Sequence, residues 1–178
     1  SIGLVGSEMC IRDRIGGDGV GASQGVTYDS QGRILISQGG RRTLGSVIRY
    51  TAAGARDRSF RPIRAIPAIG CFQHVDATRN INRQRLRRAA TLKFVQGLST
   101  NMITNENIIF ISSRERRTLN YVFGFNENGT QCRIAIAGPN RGVVHDFDVK
   151  TIDGTPYLFM SGGIGGRRGA VSYTHLTL

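Results

Sequence analysis

The sequence predicts an all-β chain of short antiparallel strands, and three observations carry that prediction. First, runs rich in β-branched residues, such as "RILIS" at 33–37 and "IIFIS" at 108–112, are bounded by glycine and polar turn residues. Second, the runs repeat. A shift of 75 residues lays Gly32–Gly54 over Asn107–Gly129 with nine of 23 positions identical: Ile34, Ile36, Ser37, Arg41, Arg42, Thr43, Leu44, Val47 and Gly54. Third, a further unit of the same kind opens at Val143 with "VVHDFDVKTIDGTPYLFMSGG".

The two ends are set aside before the elements are read. One codon choice for Leu4–Arg14, "LVGSEMCIRDR", contains AGATGTGTATAAGAGACAG. Its reverse complement, CTGTCTCTTATACACATCT, lies in one codon choice for Ala170–Leu178, "AVSYTHLTL". Complementary strands of one transposase-type linker at both ends mark residues 1–14 and 171–178 as adapter-derived rather than native. The expectation is then a native piece, residues 15–170, truncated at both ends.

Unit one covers residues 15–60. "GVTYDSQG" is a short strand running into an Asp-Ser-Gln-Gly turn, "RILIS" is the second strand and "SVIRY" the third. "TAAG" closes the unit with a glycine that tolerates positive φ. Residues 61–96 break the pattern. They carry Arg83, Arg85, Arg87 and Arg88, and read as an arginine-rich insertion with a lead-in strand toward Val95. Unit two, 97–137, repeats the scheme, with "NYVFGF" as its third strand and "NENG" as its turn. Unit three, 138–170, has "VHDFDV", an "IDGT" turn and "PYLFMSG", with Ser161 where Ser37 and Ser112 stand. "RILIS" and "IIFIS" are almost continuously apolar, as strands covered on both faces are.

Tandem units of three or four antiparallel strands suggest blades of a β-propeller. The stretch Asp29–Phe60 resembles the bacterial delta-sixty propeller repeat through Gly32, Arg33, Ile34, Leu35, Ile36, Arg49, Tyr50, Gly54, Asp57, Ser59 and Phe60. "GVTYDSQGRILIS" is also similar to NHL-type and gluconolactonase-type propeller units. The predicted fold is thus a fragment of a β-propeller, two to three antiparallel blades. The resemblance implies a secreted or periplasmic scaffold and supplies no catalytic motif.

The charge balance is strongly basic, +12 over 178 residues, and outside the adapter-like ends only Lys93 and Lys150 are lysines among the basic residues. Arginine forks match phosphate and carboxylate, although a GC-rich genome also favours arginine codons. No run of eighteen apolar residues suggests a membrane-spanning helix.

The candidate site is a set of arginine pairs. Arg41 and Arg42, Arg116 and Arg117, and Arg167 and Arg168 each follow the second strand of their unit. In a propeller such loops emerge on one face, so the pairs would form a rim attracting phosphate, sulfate or carboxylate groups. The same residues also suit solvated hairpin tips that discourage edge pairing.

Other motifs lead elsewhere. In "HDFD", alternation puts His145 with Phe147 and opposite Asp146, so the polar groups do not converge. "GGDGVGASQG", Gly16–Gly25, holds a Gly-x-Gly-x-x-Ala pattern followed by a strand instead of the helix a dinucleotide loop needs. Cys71 and Cys132 match no metal spacing and leave a disulfide open. No metal or cofactor is expected. The expected function is a non-enzymatic scaffold binding an anionic ligand or a protein. The alternative is a lactonase- or hydrolase-type propeller enzyme with its active-site residues in further blades. Nucleic acid as partner rests on charge alone.

Overall fold

The computed structural model describes residues 23–39, 45–64, 71, 95–103, 105–115, 119–137, 142–164 and 167–173. Among these the chain is all-β and wholly antiparallel, in three sheets that follow one another along the sequence. Sheet 1 is β1 (Ser23–Tyr28), β2 (Ile34–Gln38) and β3 (Ser46–Tyr50). Sheet 2 is β4 (Val95–Ile103), β5 (Glu106–Glu115), β6 (Leu119–Asn126) and β7 (Cys132–Ala137). Sheet 3 is β8 (Gly142–Ile152), β9 (Thr155–Ile164) and β10 (Arg167–Tyr173). Each is a meander in which every strand pairs with the next. Bridges from Val47 to Ile63 and Tyr50 to Arg56 occupy the fourth-strand place in sheet 1.

The turns follow from residues that accept positive φ. Gly54 and Gly129, which end "TAAG" and "NENG", have φ of 82° and 69°. Their amides bond back to the carbonyls of Thr51 and Asn126. Asp153 and Gly154 both have positive φ, which gives the β8–β9 hairpin the tight primed turn suited to strand twist.

Each sheet contributes one face to a core. Leu35 and Val47 of sheet 1 pack with Ile109, Ile111, Tyr121, Phe123 and Phe125 of sheet 2. On the opposite face of sheet 2, Ile108, Phe110, Val122 and Ile134 pack with Phe147, Val149, Leu158 and Met160 of sheet 3. Sheet 2 is covered on both faces, which is why Ile108–Ile111 is unbroken apolar sequence. Each large side chain so buried contributes roughly 1.5–3 kcal/mol. Gly124 is needed in this layer, because a Cβ there would lie 2.6 Å from Ile134 and 2.9 Å from Ile108.

The first strands stand side by side. Thr100 Oγ1 donates to the Tyr28 carbonyl, Ser99 Oγ donates to Asp148 Oδ1 at 2.9 Å, and the Asn101 side-chain amide donates to the Val149 carbonyl. These bonds set Tyr28, Thr100 and Val149 level, so β1, β4 and β8 run in the same sense.

β10 continues through Val171, Ser172 and Tyr173, paired with Met160, Phe159 and Leu158. Backbone hydrogen bonding extends a hairpin ladder over any following segment that fits a pleated surface, and Val and Tyr do. The register also shifts between Val144 and Asp146, which leaves His145 without a partner in the β9 ladder.

Candidate functional site

That shift is one of four among the described strands; one lies between Gly124 and Phe125 in the β6–β7 pair, and the other three fall in the first strands. Register irregularities also fall between Ser23 and Gly25 in β1 and between Val95 and Leu98 in β4, each in the first strand of its sheet. Opposite them lie the serines of the repeat. Ser37 Oγ donates to the Gly25 carbonyl at 3.3 Å, and the Gly97 amide donates to Ser112 Oγ at 2.7 Å. Ser161 pairs with Asp146 beside the third shift. A bulge leaves main-chain groups outside the ladder. In the first two sheets the buried serine hydroxyl satisfies one of them, which accounts for serine at this repeat position.

The strand ends that flank the three arginine pairs lie at the bulged ends of their sheets. Registers of Ser23 with Gln38, Val95 with Ser113 and Gly142 with Ile164 put the β2–β3, β5–β6 and β9–β10 connections there together. Arg41, Arg42, Arg116 and Arg117 lie outside the described residues, within the first two of those connections. Arg167 and Arg168 are the first two residues of β10, paired with Ile164 and Gly163, so they stand in the strand just past the connection. The two-residue offset of this pair in the sequence is the reason: only residues 165 and 166 join β9 to β10.

At the opposite end the structure forms a cleft of about 210 Å³ between sheets 1 and 2. Its walls include Tyr28, Asp29, Ser30, Thr100, Asn101, Met102, Asn107 and Glu127. The carboxylates are engaged by the protein itself. Asp29 Oδ1 accepts from the amides of Gln31 and Arg33, and its Oδ2 accepts from Arg33 Nε at 2.6 Å. Glu127 Oε1 accepts from Ser30 Oγ at 2.8 Å and from Arg33 Nη2 at 3.1 Å. Arg33 therefore bridges the β1–β2 turn to the β6–β7 turn.

Arg49 completes the seam. It is buried, donates through Nε to Asp57 Oδ2 at 2.8 Å and through Nη1 to the Glu127 carbonyl at 3.1 Å, and lies 4.5 Å from the centre of the Phe60 ring. Asp57 Oδ1 also takes the hydroxyl and amide of Ser59. The Ser59 hydroxyl is the largest cause that lowers the Asp57 carboxyl to about 2; burial opposes it, and the Arg49 and Ser59 amide hydrogen bonds and the Arg49 charge add to the lowering. Arg33, Arg49, Asp57, Ser59 and Phe60 thus form a clamp that reaches from sheet 1 to Glu127 of sheet 2. The spacing Arg49, Asp57, Ser59, Phe60 was visible in the sequence, whereas their partner Glu127 lies 78 residues further on.

A disulfide joins Cys71 to Cys132, tying the segment after unit one to β7. Among the described residues no group of His, Cys, Asp and Glu could hold a metal ion. The cleft offers hydrogen bonds and the exposed Met102 side chain to a small polar molecule. No family model, curated protein or solved structure matches the chain.

Proposed function

We propose that the chain is a segment of a β-propeller that acts as a non-enzymatic scaffold, presenting hairpins to a ligand or protein. Its ligand face is a rim of Arg41, Arg42, Arg116, Arg117, Arg167 and Arg168, and the ligand is anionic. One observation carries the reading: the three connections that hold or adjoin these pairs stand at the same end of a stack of meander sheets whose first strands are neighbours. A net charge of +12 adds a field that draws anions to such a rim. The buried disulfide supports an oxidising compartment.

The test is calorimetric titration with inorganic pyrophosphate at two salt concentrations. Replacing one arginine pair by glutamine is expected to weaken binding about tenfold or more, since charge-assisted hydrogen bonds contribute about 1.5–3 kcal/mol. Arg58→Gln, an exposed change in the turn beyond β3, serves as the control. Equal losses for Arg58→Gln and for the pairs, or no loss for the pairs, would overturn the rim.

A further inference from the structure

The β6–β7 turn carries a chemistry that the arginine rim does not use. Asn128–Gly129 is the chain's single Asn-Gly pair. An asparagine followed by glycine is prone to attack by the backbone on its own side chain, because glycine puts no side chain in the way of the following nitrogen. The attacking atom is the Gly129 nitrogen, and its target is Cγ of the exposed Asn128.

In the folded protein that nitrogen is held. Its N–H donates to the Asn126 carbonyl at 2.8 Å, and the Asn126 side-chain oxygen accepts from the amides of Thr130 at 2.9 Å and Gln131 at 3.1 Å. Gly129 has φ of 69° and is buried. It lies so close against Phe60 and Ile63 that a Cβ there would stand 2.9 and 2.8 Å from their side chains. Glu127, one residue before Asn128, is fixed as well. Arg49 Nη1 donates to its carbonyl, and Ser30 and Arg33 donate to its carboxylate. The clamp that joins sheets 1 and 2 thus immobilises the atoms that must move for the attack.

We propose that Asn128 is a latent self-modification site, which reacts with Gly129 only when the turn lifts off Phe60 and Ile63, and whose isoaspartate product keeps the clamp open. The step needs only water. The Gly129 nitrogen, having given its proton to base, bonds to Asn128 Cγ. The Cγ–Nδ2 bond breaks, and the departing nitrogen takes a proton and leaves as ammonia. Water then opens the resulting five-membered imide at either of its C–N bonds. Opening at Cγ restores the chain with aspartate at 128. Opening at the main-chain carbonyl leaves isoaspartate, whose chain runs through Cβ and Cγ and is one atom longer. That extra atom displaces the Gly129 amide from Asn126 and the Glu127 carbonyl from Arg49. Arg49 is buried, so losing this acceptor leaves one of its donors unsatisfied and disfavours reclosure.

The parent protein is incubated at mildly alkaline pH, folded and in urea, then digested. The peptide holding Asn128 is scored for isoaspartate by methyltransferase labelling and mass spectrometry. The folded rate should be about tenfold or more below the rate in urea, because such a reaction follows the population of the open form. Phe60→Leu, in a preparation whose circular dichroism matches the parent, should raise the folded rate about fivefold, the effect of a small loss of packing. No isoaspartate in urea, equal rates folded and unfolded, or a folded rate unmoved by Phe60→Leu would each overturn the latent site. The isoaspartate fraction, separated by ion exchange, should exchange its Thr130 and Gln131 amides fast. Asn128→Asp, which adds the same charge on a chain of unchanged length, should keep them slow. Slow exchange in both would overturn the claim that the product holds the clamp open.

Discussion

Removing the disulfide between Cys71 and Cys132 should cost more stability than any single surface change. The two cysteines are 61 residues apart in sequence, and the bridge closes that length into a loop. In the chain-entropy description, opening a loop of this size gives the unfolded chain back about 4 kcal/mol of conformational freedom. That is a large share of the roughly 5–15 kcal/mol by which domains are stable. Cys71→Ala with Cys132→Ala keeps the buried sites apolar, so the loss reports the cross-link and little else. Urea unfolding followed by circular dichroism should show the midpoint falling by about 2 M, given a slope near 2 kcal/mol/M. Thiol titration of the unreduced, unfolded parent should find one free thiol, Cys10, of the three cysteines. Three free thiols, or a loss below about 1 kcal/mol, would refute the reasoning.

Two further outcomes test the packing and the clamp. Gly97→Ala places a Cβ 2.6 and 2.7 Å from two carbons of the Phe147 ring, so it should destabilise by about 1–3 kcal/mol, read in the same urea assay. An unchanged midpoint would mean that sheets 2 and 3 are not packed as described. Asp57 has a folded value of about 2 against 3.8 unfolded, so its stabilising contribution is complete above pH 4 and is lost as pH falls through 2. Ser59→Ala should raise that value in an NMR titration of the carboxyl, and a titration unmoved by the change would place the cause elsewhere.

Much of the secondary structure was legible locally. "RILIS", "IIFIS", "NYVFGF" and "PYLFMSG" mark strands because β-branched and aromatic runs ended by Gly or Asp-Gly have few other uses. The four-residue gap after "NYVFGF" and the Asp153–Gly154 pair predicted their turns because left-handed backbone positions select glycine and asparagine-like residues. The bulges were not legible. A bulge depends on how many residues oppose one another across two strands, and "VHDFDV" alone reads as clean alternation. The cleft and its clamp were hidden for a related reason: Arg33 reaches Glu127 only because two sheets stack, and sequence distance conceals that.

By itself, then, the sequence determined the strands, their turns and the repetition, since these depend on side-chain shape and backbone preference within a few residues. It also placed the arginine pairs after second strands, by position in the repeat. Tertiary structure alone decided which face of each sheet meets which neighbour, that Ser37 and Ser112 serve bulged backbone, and that Asp29, Arg33, Arg49 and Glu127 meet. Those outcomes are settled by the packing of distant segments, where hydrogen bonds and apolar contacts join residues that no local pattern relates.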